Sequence, residues 1–131
     1  MSASLEEIMS FLYGVGDLVE GWGGDAAELV HRAQQRFPGK PFCLVRRWIL
    51  IDVVANEGEL SKGEVPPMVI FAHEVVQDSR RRFDPGHWVR TTYAVSQPEH
   101  CMFETRSTVY LLLGDGYRKD ATLDVVFSLQ P

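Results

Sequence analysis

The side chains best equipped for chemistry are arginines and histidines set among strand-forming residues. Three adjacent guanidiniums, Arg80, Arg81 and Arg82, precede Phe83, and such a run can hold a phosphate or an acidic partner. Glu74, Asp78 and Asp84 are close enough in sequence to neutralise it, so a paired, solvated loop is the favoured reading. Arg46 and Arg47 interrupt the apolar stretch FCLVRRWILIDVVA. Side chains alternate along a strand, so one of the two should point inward or toward a helix. A buried arginine needs a carboxylate, which Asp52 or an N-terminal glutamate could supply. His73 lies in FAHEVV beside Glu74, a placement suited to a general base. An imidazole satisfied by a backbone carbonyl accounts for it more simply.

Other constellations are weaker. His31, His73, His87 and His100 show no i, i+4 or HxH spacing, and Cys43 and Cys101 are too far apart for a ligand pair, so no metal site is expected. There is no GxSxG elbow, and both thiols sit in strand contexts where they are usually buried and inert. The run GVGDLVEGWGG lacks the strand before it and the third glycine that a dinucleotide fingerprint needs. It reads as a helix-to-helix connection. In MFETRSTVYLLLG, even spacing puts Glu104, Arg106 and Tyr110 on one strand face and Phe103, Thr105, Ser107 and Val109 on the other. The first set makes either an ion-pair ladder or a polar binding surface.

The elements that must position these residues change character near Pro41. Ser4 and Glu7 form a capping-box pattern, with Leu5, Ile8, Met9 and Leu12 at helical spacing and Gly14 and Gly16 as a stop. Asp25 caps a second helix with an apolar stripe of Ala26, Leu29, Val30 and Ala33, ended by Pro38-Gly39. Beyond Pro41 the chain reads as strands: FCLVRRWILIDVVA, MVIFAHEVV, HWVRTTYAV, HCMFETR with STVYLLLG, and TLDVVFSL. A polar loop covers 56–67, and Gly114-Asp115-Gly116 is a turn signal. Helices segregated from consecutive strands imply α+β. Two N-terminal helices should pack on a mainly antiparallel, strongly curved sheet of five to six strands, or on a small barrel. At 131 residues, with 45% hydrophobic and 24% charged, the chain fits one domain over 1–131, helical over 1–38 and β-rich over 41–131.

Charge narrows the partners. The formal charge is -5, and residues 1–37 carry six acids against two bases. An acidic balance disfavours nonspecific nucleic-acid binding. The start, MSASLEEIMSFLYG, has acids where a secretory leader carries bases, and no apolar run is long enough for a bilayer. A cytoplasmic location without membrane association is therefore expected.

The stretches FPGKPFCLVRRWILID, VIFAHEVVQDSRRRFDPGHWVRTT and CMFETRSTVYLLLGDGYRK together resemble an uncharacterised family of small bacterial, pseudomonad-type proteins, a domain of unknown function. The resemblance runs from Gly21 through most of the chain. It implies a bacterial cytoplasmic protein and brings no activity with it. From the residues, the leading function is a non-catalytic protein-interaction or accessory module, binding another protein or itself. The alternatives are a small-barrel nucleic-acid binder and a small enzyme with a pocket between helices and sheet, pairing His73 with Glu74, Glu104 or Asp52. The residues nominated for a binding surface are Arg80, Arg81, Arg82, His73, Trp88, Arg90, Arg106 and Tyr110. No catalytic residue, cofactor or metal ligand is nominated.

Overall fold

The computed structural model describes residues 3–54 and 67–129. The polar loop expected over 56–67 therefore lies, apart from Pro67, outside the described residues. Along the described residues run α1 (Leu5–Tyr13), β1 (Asp17–Val19), α2 (Ala26–Arg36), β2 (Phe42–Val54), β3 (Met68–Asp78), β4 (Val89–Arg90), β5 (Met102–Glu104), β6 (Val109–Leu112), β7 (Gly116–Thr122) and α3 (Leu123–Ser128). The class is α+β. Both expected caps form: Ser4 and Glu7 close a capping box on α1, and Asp25 accepts from Ala27 N at the start of α2. These local contacts satisfy amide groups that a helix start otherwise leaves unpaired.

The expectation of two N-terminal helices on a five- to six-stranded, mainly antiparallel sheet or small barrel needs correction. A third helix, α3, ends the described chain where TLDVVFSL alternates like a strand. The Thr122 hydroxyl accepts from Val125 N and caps it, an alternative that the alternation conceals. Among the described residues the sheet has seven strands and is mixed. β2 runs antiparallel to β3 but parallel to both β6 and β7. Parallel pairing needs a long return path, not necessarily a helix, and here β3, β4 and β5 supply it. The sheet is open. A single Ala94–Thr105 bridge and the Val95 N to Glu104 O bond (2.9 Å) draw the segment after β4 toward β5 without a ladder between them. Of HWVRTTYAV, only Val89–Arg90 pairs as a strand.

β2 organises the rest. Its first half, Phe42 to Val45, pairs with β6, and its second half, Ile49 to Val54, pairs with β7. β6 and β7 thus lie end to end along one edge of β2. Gly114-Asp115-Gly116, read as a turn, instead carries the chain onward in the same direction. Between the halves the side-chain alternation slips. Cys43, Val45, Trp48 and Leu50 all face one apolar cluster, so the inward set changes from odd to even numbers. Arg47 makes the slip, with φ at 52°, and neither it nor His73 enters the β2–β3 ladder between the Arg46–Glu74 and Trp48–Ala72 pairs. No residue is inserted there, because the register runs unbroken from Arg46–Glu74 to Trp48–Ala72; the left-handed backbone at Arg47 turns the side chains over, and the register shift of the pair lies at Leu44/Val45. The slip leaves both Arg46 and Arg47 exposed, so neither arginine points inward as the alternation alone required.

Three apolar layers result. One face of the sheet gathers Val45, Trp48, Ile70, Phe103 and Tyr110. The outer face of the second half of β2 (Ile49, Ile51 and Val53) packs under α3 and the Ile8, Phe11 and Leu12 side of α1. The outer face of the first half, with Leu44, Leu111 and Val109, packs under Leu29 and Ala33 of α2. The stretch Phe103 to Val109 does not keep one alternation, because a hydrogen-bonded turn at Thr105–Thr108 interrupts it. Phe103 and Tyr110 are cross-strand partners in the interior, and Glu104 pairs with Lys40.

Trp48 fills the gap where β2 changes partners. It is 1% exposed and donates Nε1–H to the Leu113 carbonyl at 3.2 Å. Gly116 opens β7 against its ring, and a Cβ there would lie inside the van der Waals envelope of the indole and 2.5 Å from the Trp48 carbonyl oxygen. Gly116→Ala is expected to cost about 2 to 3 kcal/mol, as overpacking against backbone does, seen as a lowered urea midpoint. Gly23→Ala, where an added Cβ meets nothing within 4 Å, should stay within about 0.5 kcal/mol of the parent.

Candidate functional site

The basic run does not form a single patch. Asp78 is buried, and its carboxylate accepts from Arg82 N (2.6 Å), Nε (3.0 Å) and Nη2 (2.8 Å), while Arg82 Nη1 donates to Thr108 Oγ1 at 2.8 Å. Burial alone would raise the Asp78 carboxyl; the Arg82 hydrogen bonds and charge outweigh it and hold the carboxyl below its usual value. Arg82 is therefore a clasp between the end of β3 and the β5–β6 turn. Arg80 and Arg81 are exposed, and Arg81 has φ at 53°. Arg90 sits elsewhere, donating to the Val126 carbonyl of α3 and lying over the Phe127 ring. Trp88 stacks on Phe71 at 5.7 Å. Arg106 is exposed in the β5–β6 turn. Tyr110 is interior; burial first, then the nearby Cys43, pushes its phenol up to about 12. Burial, reinforced by Asp78, pushes the Cys43 thiol up to about 12 as well, leaving it protonated and unreactive.

Nor do the carboxylates of the acid–base alternative hydrogen-bond His73 among the described residues: Glu74, its chain neighbour, stands opposite Arg46 in the β2–β3 ladder. Asp52 binds Arg118 through both oxygens (2.7 and 2.9 Å), and Glu104 binds Lys40 at 2.7 Å. Among the described residues no cluster of three His, Cys, Asp or Glu is arranged to hold a metal ion, and no helix is long and apolar enough to cross a membrane.

What His73 does meet is α1 and the β2 slip. Its ring lies 5.4 Å from Tyr13 and edge-on to Phe71 at 5.1 Å. Burial holds its imidazole below the usual value, the Arg47 charge lowers it further, and the Leu12 backbone opposes this in part. Two clefts adjoin it, of about 300 and about 290 Å³, both lined by Leu12, Tyr13, Arg47 and His73. The first extends to Asp115 and Tyr117, the second to Trp88 and Leu129. Arg47 was legible as an oddity, a charge within an apolar strand. Tyr13, Asp115 and Tyr117 carried no signal, since only the fold brings the end of α1 beside the β6–β7 junction.

A second surface went unread. Between α1 and the β1–β7 pair lies an open groove of about 850 Å³, lined by Glu6, Glu7, Asp17 and Asp120 with Phe11, Val15 and Val125. Arg118 and Lys119 also border it, but their charges are engaged. Arg118 holds Asp52, and Lys119 Nζ donates to the Phe11 and Gly14 carbonyls at the C-terminus of α1. That second contact places a cation where the helix dipole favours one, although burial lowers the Lys119 pKa. β1 is the terminal strand of the sheet, and Val15 and Leu18 are 87% and 71% exposed. The acidic share of residues 1–37 was the available signal; the three-residue strand at Asp17–Val19, read as part of a loop, was not visible.

The family described as Domain of unknown function (DUF6957) matches residues 20–128. No curated protein and no solved structure matches the chain.

Because the fold disfavours protonation of His73, its contribution to stability is intact above the ordinary imidazole value of 6.5 and is lost as pH falls through that value toward the lower folded one. Urea midpoints compared at about pH 7.5 and about pH 5 should fall for the parent and fall less for His73→Phe, which keeps the aromatic contacts but binds no proton.

Proposed function

From a chain that belongs to the family described as Domain of unknown function (DUF6957), a description that names no activity, we propose a non-catalytic binding module whose docking surface is the groove between α1 and β1–β7. Its partner is another protein that presents a basic segment with apolar side chains. One observation carries the reading: four carboxylates, two engaged cations and exposed Val15 border an open groove beside the terminal strand. A short edge strand can accept an added strand through its main chain, and an acidic rim favours lysine or arginine on the incoming segment. Self-association through this face is disfavoured, because two copies would bring like charges together. α1 and β1 precede the residues that the family description matches, so this docking surface combines elements outside that match with β7 inside it.

The dispersal of Arg82, Arg90 and Arg106, each in a different setting, removes the support for a stacking-plus-charge surface of the kind that single-stranded nucleic acid uses. Against the enzyme alternative, Asp52 is engaged by Arg118 and Glu104 by Lys40, and Glu74 makes no hydrogen bond to His73 among the described residues.

Capture from bacterial lysate should be run with the parent and with an Asp17→Lys/Asp120→Lys variant, both checked for folding by circular dichroism. A protein retained by the parent, lost by the variant and released in about 0.5 M salt is the expected result. Equal retention by the variant, or a concentration-dependent dimer as the sole complex, would exclude this groove.

A further inference from the structure

A second site, independent of the groove, lies at the slip in β2. We propose that the cleft around Arg47 binds a small aromatic carboxylate, with the Arg47 guanidinium as the anchor for its carboxylate.

The backbone supplies the first argument. Arg47 adopts the left-handed region within a long strand and stands outside the β2–β3 ladder. A side chain other than glycine costs of order 1 to 3 kcal/mol there, and such residues cluster at binding sites. Arg47 lines both clefts beside His73 and is exposed. Its guanidinium makes no hydrogen bond or ion pair among the described residues, in contrast to Arg82, Arg90 and Arg118. A planar fork of donors without a partner suits a carboxylate, which it can hold through two parallel bonds.

The walls supply the second. Tyr13 and Tyr117 line the cleft with Arg47 and His73. Its volume of about 300 Å³ is at the small end for ligand sites, room for one ring and its substituents.

Charge supplies the third. Asp115 lines the same cleft, and the nearby Lys119 ammonium is committed to the carbonyls that end α1. One uncommitted guanidinium and one carboxylate thus border the cleft, the carboxylate also accepting from Gly21 N at 3.4 Å. A dianion such as phosphate is poorly matched, whereas a monoanion that also brings a hydrogen-bond donor can satisfy both Arg47 and Asp115. Neutral His73 adds an uncharged donor or acceptor beside them.

The test titrates para-aminobenzoate into the full chain, followed by two-dimensional NMR of the His73 ring, the Trp48 indole and the Gly116 amide. Saturable shifts at these groups are expected. The neutral para-aminobenzamide and inorganic phosphate should each bind at least about tenfold more weakly. Arg47→Gly should weaken para-aminobenzoate by at least about tenfold without lowering the melting temperature, because glycine accepts the left-handed backbone. Arg47→Asn, which also tolerates that conformation, repeats the measurement should glycine alter the fold. Absence of saturable shifts, equal binding by both Arg47 variants, or tighter binding of phosphate would each overturn the proposal.

Discussion

Where β2 leaves β6 and takes up β7, the indole of Trp48 closes the space between the two partner strands, and the bare backbone of Gly116 lets β7 start directly against the ring. One strand can hold two successive parallel neighbours only if something fills and seals the junction between them. Trp48 fills it with the largest side chain available and spends its one donor on the Leu113 carbonyl, so no buried polar atom is left unpaired there. Leu113 N returns a bond to the Val45 carbonyl on the other side of the slip. Side chain and backbone together stitch the two halves of β2 to a single β6–β7 edge.

This junction dictates where the helices can sit. Because alternation slips at Arg47, the outward faces of the two halves of β2 present separate apolar patches. α2 covers one of them, and α1 with α3 covers the other. A strand without the slip would turn Trp48 to the other face of the sheet, and the cluster that it centres would lose its largest side chain. The left-handed residue is thus held by the packing on both sides of it. The Asp78–Arg82–Thr108 clasp does comparable work at the far end of β3. There a buried carboxylate that lost its arginine would be costly, so the clasp holds the exposed arginine loop to the sheet.

The two surfaces with functional promise both arise where α1 meets this sheet. On one side of the helix the groove is acidic, open and bordered by β1. On the other, the clefts are smaller, aromatic and centred on one uncommitted guanidinium. The difference in size and charge suits different occupants, a segment of polypeptide in the first case and a small anion in the second. Lys119 links them structurally. Its ammonium ends α1 by binding the Phe11 and Gly14 carbonyls, which fixes the helix position that both surfaces require.

Local rules were enough for much of this molecule. Capping residues and glycine stops placed α1 and α2, and the β-branched run from Phe42 to Val54 placed the central strand, because those signals act within a few residues. The pairing of Arg82 with Asp78 was also legible, being a contact four residues apart. The sequence determined the α+β class and the acidic character of its first third. Tertiary structure alone decided that β6 and β7 run parallel to β2, that TLDVVFSL coils after its first residue, and that Arg47, His73, Tyr13 and Asp115 share a cleft. Strand pairing and cleft assembly depend on contacts between residues far apart along the chain, and short-range periodicity holds no information about which distant backbone will come to lie alongside.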